Sequence, residues 1–150
     1  MYDLMIIGSG PAGISAALTA KARNLNFIWF GSRALSTKIE KAEKIMNYPG
    51  LPAVTGSEMQ SVFLKQIDDC GITITESQVN SIYDCGGYFA AGADNEIYEA
   101  KAVIMTVGMT TTREIEGEAR LLGCGVSYCA TCDGAFFKNK TVAVVGGGDV

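Results

Sequence analysis

The densest chemistry in the sequence is Cys129-Ala130-Thr131-Cys132-Asp133. Two cysteines two residues apart can close a small disulfide ring. Close to a βαβ pattern, such a pair reads as redox-active. The adjoining carboxylate of Asp133 can pass a proton to or from a departing thiolate, as general acid catalysis requires. A second reading overlaps the first. Cys124, Cys129 and Cys132 stand in the C-x4-C-x2-C spacing of plant-type two-iron, two-sulfur ligands, which need a fourth cysteine downstream. None follows within these 150 residues. Cys70, Cys85 and Cys124 otherwise read as inert small hydrophobes. His is absent. That removes His-activated nucleophiles and the usual zinc and haem ligands, and no other metal site is expected.

The second constellation is Gly8-Ser9-Gly10-Pro11-Ala12-Gly13. It sits between an apolar run, Leu4 to Ile7, and an Ala-rich helical stretch, Ile14 to Arg23, where a dinucleotide fingerprint must sit. Gly8 permits a tight turn, Gly10 lets a pyrophosphate approach the backbone, and Gly13 allows close packing of helix on strand. The helix N-terminus then offers unpaired N–H groups and a positive dipole end to the phosphates. The acidic residue that usually binds a ribose hydroxyl should follow the second strand. Gly31-Ser32 occupies that place; Ser32 can make one bond to a ribose but is no carboxylate. Near the other end, Gly146-x-Gly148 follows the apolar run Thr141 to Val145 and repeats the logic for a second nucleotide-binding unit.

These motifs need a parallel sheet to position them. Leu4 to Ile7, the helix with Asn24 as its C-terminal cap, and Phe27 to Phe30 make a βαβ unit. Gly31 to Gly56 reads as long and irregular, punctuated by Pro49 and Pro52. Ser57 and Gln60 read as a capping box for a helix whose apolar face is Met59, Val62, Phe63 and Ile67. Short strands are expected at Ile72 to Thr75, Val79 to Tyr83, Tyr88 to Ala91 and Ile97 to Ala100, with turns at Gly86-Gly87 and Asp94-Asn95. Buried strands are expected at Ala102 to Val107 and Thr141 to Val145, and a loop-like boundary at Met109 to Gly125. The second Gly-rich turn lacks the helix that should follow it, so the chain reads as part of a longer protein.

Composition sets the class. Hydrophobic residues at 48% and charged residues at 19% can build a real core. A net charge of −4 is a poor match for a nucleic-acid backbone. Lys38, Lys41 and Lys44 alternate with Glu40 and Glu43, as on a solvated face. No apolar run approaches the roughly 20 residues of a membrane span. Nothing resembles a signal peptide, so a cytoplasmic protein is expected.

Two nucleotide-type turns with a Cys-x-x-Cys just ahead of the second form a distinctive order. In this the sequence resembles the low-molecular-weight thioredoxin reductases. The resemblance runs through Ile6-Ile7-Gly8-Ser9-Gly10-Pro11-Ala12-Gly13, Asn47-Tyr48-Pro49-Gly50, Thr106-Val107-Gly108 and Gly125 to Gly134, and continues through Phe136-Phe137 to Gly148. It implies an α/β fold: a Rossmann-like FAD-binding domain of the three-layer ββα type over residues 1–112, and the start of a second Rossmann-like, pyridine-nucleotide and redox-disulfide domain over 113–150. It implies a flavin-dependent thiol-disulfide oxidoreductase that carries electrons from NADPH through FAD to the Cys129–Cys132 disulfide, and then to thioredoxin or a similar protein. Cys132 would face the flavin, Cys129 would attack the substrate disulfide, and Asp133 would be the general acid. Ser9, Gly10, Pro11 and Ala12 would touch FAD phosphates. Gly8, Gly13, Gly31, Ser32, Asn47, Thr106 and Gly108 complete the implied cofactor site, with Gly146 and Gly148 for the second nucleotide. A homodimer, no nucleic-acid partner and no membrane are expected. Two departures stand out. Ala34-Leu35-Ser36-Thr37 replaces the family's Gly-Gly-Gln stretch, and Val150 replaces a Ser or Thr. Related reductases draw electrons from ferredoxin, and these departures leave that donor open.

Overall fold

The computed structural model describes residues 1–108, 115–127, 130 and 134–146, with backbone only at Lys38 and Ala119. The chain opens with strand β1 (Tyr2–Ile7), helix α1 (Pro11–Ala22) and strand β2 (Phe27–Phe30). This is the expected βαβ unit. Pro11 at the first helical turn loses no hydrogen bond there and presets the backbone. Beyond the C-cap Arg23, Asn24 takes the left-handed conformation (φ 53°) and its N–H returns to Lys21 O. Asn tolerates that conformation better than most residues, which suits it to closing a helix.

Short α2 (Thr37–Glu40) and long α3 (Gly56–Asp69) follow. The α3 cap differs from the expected Ser57–Gln60 pair. Thr55 is the N-cap and Glu58 the reciprocal partner. Ser57 is already helical, and its carbonyl accepts from Ser61. Gln60 reaches across to donate to Ser36 O (2.6 Å). The motif was displaced by two residues because Thr55 and Glu58 satisfy the same spacing rule. The thiols of Cys70, at the end of α3, and of Cys85 and Cys124 are exposed rather than buried as small hydrophobes. The charged positions Glu40, Lys41, Glu43 and Lys44 are exposed, as expected of a solvated face.

Strands β3 (Val79–Asp84), β4 (Phe89–Ala93) and β5 (Glu96–Met105) complete one sheet in the order β2-β1-β5-β4-β3. The two strands expected either side of Lys101 are one. The first half of β5 pairs antiparallel with β4, and the second half pairs parallel with β1. Ala100 is opposite both Tyr2 and Phe89. Lys101 reads as a break in sequence, but its ammonium sits 2.7 Å from Asp3 Oδ1. That hydrogen bond and the Asn26 N–H hold the Asp3 carboxyl below its ordinary pKa. The segment expected as a strand at Ile72 to Thr75 makes a single bridge, Thr75 to Phe30. The expected buried strand at Thr141 to Val145 is not one. These residues are exposed and pair with no strand among the described residues. Their apolar pattern describes an environment, and no described neighbour supplies it.

Two apolar clusters flank the parallel strands. On one face, Leu4, Ile6 and Trp29 meet Ile14 and Ala17 of α1 and Met59, Phe63 and Ile67 of α3. On the other, Met5, Ile7, Ile28 and Phe30 meet Ala91, Ala93 and Ala100. The meander therefore folds over the sheet, giving three layers: helices, parallel strands, antiparallel meander. Among the described residues no helix is long and apolar enough to cross a membrane.

Replacing Thr55 with Ala removes both halves of the α3 cap. It should lower stability by about 1 kcal/mol, read as a lower thermal unfolding midpoint. An unchanged midpoint would show that the cap contributes nothing in solution.

Candidate functional site

The carboxyl ends of β2, β1 and β5 lie side by side, and each runs into a residue singled out by sequence: Gly31, Gly8 and Thr106. In open α/β sheets this edge is where ligands bind. Gly8 turns with φ 114°, and a Cβ there would lie 2.3 Å from Thr106 O. A Cβ on Gly13 would lie 2.0 Å from Gly8 O, so α1 rests directly on the turn. Gly10 is the opposite case, because nothing lies within 4 Å of where its Cβ would be. Gly10 is also the N-cap, with no side chain bonded to the helix end. The first-turn amides of Ala12 and Gly13 have no helical carbonyl to reach. Open backbone at Gly10, free amides and the positive end of a 12-residue helix form a cradle that fits a pyrophosphate.

The turn is locked from three sides. Gly8 N donates to Phe30 O (2.8 Å). Gly8 O accepts from the indole N–H of Trp29 (2.8 Å). The Thr106 hydroxyl lies 3.0 Å from Ile7 O and 3.1 Å from Gly8 O and shares its proton between them. Ser9 is buried, and the one proton of its hydroxyl is committed within the protein. It donates to Leu35 O and accepts from Ser32 N, both at 3.0 Å. Any hydrogen bond that Ser9 donates to a phosphate oxygen therefore falls to its backbone N–H. The Ser32 hydroxyl accepts from Ala34 N (3.1 Å) and is exposed.

The structure thus brings together Gly8, Ser9, Gly10, Pro11, Ala12, Gly13, Gly31, Ser32 and Thr106. Gly108 follows at the open edge with φ 68°. Asn47 is exposed on the loop that the Ile45–Val54 bridge closes, with no bond to the cradle among the described residues. Gly146 takes φ 118° in the exposed 141–146 stretch, remote in sequence from the cradle. Cys129, Cys132, Asp133 and Gly148 lie outside the described residues. Sequence reasoning missed two contributors. Trp29 alternates with Phe30 along β2, so a polar tip at the helix face was readable from strand period alone. Glu76, whose Oε1 accepts from Arg33 N (2.8 Å), was not readable, because its place depends on the Thr75–Phe30 register.

Gly13→Ala should destabilise the protein by about 1–3 kcal/mol or more, since backbone must move to admit the methyl group. Gly10→Ala should cost less, as its methyl group meets nothing. Unfolding midpoints of the two variants test this, and equal losses would contradict the packing role of Gly13.

Residues 2–150 match the family described as pyridine nucleotide-disulphide oxidoreductase. Among curated proteins, the chain is 36% identical to thioredoxin reductase from Bacillus subtilis over 99% of its own length and 48% of that protein. It spans about half the length of the curated relatives it matches. Among solved structures it resembles a ferredoxin-flavin thioredoxin reductase from Clostridium acetobutylicum, at 48% identity and TM-score 0.72, covering 97% of this chain and 50% of that one. Thioredoxin reductase from Streptococcus pyogenes superposes with TM-score 0.78 at 36% identity, covering 91% of this chain and 45% of that one. A match over nearly the whole sequence, on a fold whose glycine turn is built as a dinucleotide cradle, places the chain in the pyridine nucleotide-disulphide oxidoreductase family.

Proposed function

We propose that the chain is the leading part of a flavin-dependent thiol-disulfide oxidoreductase that reduces thioredoxin or a similar protein disulfide. The observation that carries this reading is the 36% identity to a thioredoxin reductase over 99% of the chain, a span that includes both the cradle and the cysteine pair. Residues 1–112 act as the first segment of an FAD domain. Residues 113–150 open the domain that carries Cys129 and Cys132.

In this reading the cradle of Gly8 to Gly13 would hold the FAD pyrophosphate by backbone amides, with Gly31, Ser32 and Gly108 completing the cofactor site and Asn47 and Thr106 toward its flavin side. When bound, the flavin supplies two electrons that reduce the Cys129–Cys132 disulfide. The protein's own residues do the rest. The Cys129 thiolate attacks the substrate disulfide and forms a mixed disulfide, and the departing substrate thiolate takes a proton from Asp133. Cys132 then returns a proton to Asp133, and its thiolate attacks Cys129 Sγ, which releases the second substrate sulfur as a thiolate and restores the Cys129–Cys132 disulfide. Cys129→Ser should lower thioredoxin reduction at least about 100-fold, because it removes the nucleophile while leaving the cradle intact. Full activity in that variant would overturn the assignment.

NADPH, held at Gly146 and Gly148, is the common donor in the resembled family. The 48% identity to a ferredoxin-flavin thioredoxin reductase favours reduced ferredoxin instead. The departures at Ala34 to Thr37 and at Val150 agree with it. An anaerobic absorbance titration of the complete protein decides. Reduced ferredoxin should bleach the flavin band, and one equivalent of NADPH should leave it. Bleaching by NADPH would restore the pyridine-nucleotide donor.

A further inference from the structure

The usual ribose carboxylate is more than absent from the end of β2: it is excluded. A Cβ on Gly31 would lie 2.5 Å from Ser9 Cβ and 2.8 Å from Ser9 Oγ. Ser9 cannot retreat, since its hydroxyl ties Leu35 O and Ser32 N. No side chain fits at the position where the fingerprint places an acid.

The neighbouring segment supplies one. Thr75 is opposite Phe30 in parallel register, with Thr75 N on Trp29 O (2.7 Å) and Gly31 N on Thr75 O (3.1 Å). One residue further on, Glu76 is the register neighbour of Gly31, one strand spacing of about 4.8 Å away. The two share a face. Trp29 and Ile74 both point into the cluster under α1 and α3, and positions 31 and 76 each lie two residues beyond. Glu76 is exposed, and its Oε1 accepts from Arg33 N (2.8 Å), so the carboxylate is turned toward the loop after β2. Oε2 takes no bond among the described residues, and a carboxylate has room for further donors.

Arg33 gives the complementary signal. An arginine in this loop is the usual partner of a 2′-phosphate. Here both oxygens of Asp68 hold its guanidinium at 3.0 Å. With Arg33 neutralised and Glu76 alongside, the edge suits an adenosine with a free 2′-hydroxyl and opposes a phosphorylated one.

We infer that Glu76, from the segment beside β2, is the carboxylate that binds the adenosine ribose 2′-hydroxyl of the dinucleotide. This rests on reading the cradle as an FAD site. The test titrates FAD, and its analogue lacking the adenosine 2′-hydroxyl, into the flavin-free complete protein, followed by flavin fluorescence. Wild type should bind FAD about 10- to 100-fold more tightly than the analogue, the range of a hydrogen bond to a charged group. Glu76→Ala should weaken FAD binding to a similar degree and abolish the preference. A merely structural role would weaken both ligands equally and keep the preference, which would overturn the inference. So would a wild type that binds both alike, a comparison that stands even if Glu76→Ala fails to fold. A wild type that binds no FAD would overturn the functional reading itself, and is told apart by that.

Discussion

One carbonyl organises the site. Gly8 O accepts the indole N–H of Trp29 and shares the Thr106 hydroxyl proton, and α1 touches it so closely that Gly13 can carry no side chain. β1, β2, β5 and α1 therefore converge on one atom. Each hydrogen bond contributes only about 0.5–1.5 kcal/mol net, but stranding a buried acceptor costs more. The larger effect is geometric. With the turn fixed against three strands, the α1 amides are aimed before any ligand arrives, and preorganisation of this kind lowers the ordering cost of binding.

The loop after β2 depends on that turn. Ser9 is the residue between Gly8 and Gly10, and its buried hydroxyl is the link. Through it, Leu35 O and Ser32 N are tied to the cradle. Thr75 O, Glu76 Oε1 and the Ser32 hydroxyl take the N–H groups of Gly31, Arg33 and Ala34. Every amide from Gly31 to Leu35 has a partner, since Leu35 N returns to Ser32 O. Leu35 itself is held at φ 54°, a conformation that glycine adopts far more easily. The resembled family carries glycines in this stretch. Here Leu35 takes the left-handed turn, and burial of its side chain offsets the strain.

Much of this was legible in the sequence, and the failures have physical causes. The glycine spacing led to the turn, and the strand-helix-strand period led to the parallel core, because both are local patterns. The capping box slipped by two residues because neighbouring segments met the same rule. Lys101 reads as a break within β5 because polarity marks an exposed side chain as readily as a strand end. Thr141 to Val145 reads as buried, yet Val144 is 82% exposed. A sequence states which surroundings an apolar run needs, and neighbouring chain must provide them. Glu76 was invisible for a deeper reason: register between segments 45 residues apart is a tertiary fact, with no local period to announce it.

The meander matters to the cradle from the opposite face. Ala91, Ala93 and Ala100 are small, and this is what lets β4 and the first half of β5 close over the parallel strands. Ala100 is fully buried where β5 changes partners, so a larger side chain there would pry the two halves apart. The closure brings Tyr98 edge-on to Phe30, with ring centroids 5.0 Å apart. Phe30 is the last residue of β2, and its carbonyl receives Gly8 N. Trp29 grips the turn from the helix side, while Phe30 is braced from the meander side. The end of β2 is thus clamped between two cores, and the positions of Gly31, its loop and its register neighbour follow from that clamp.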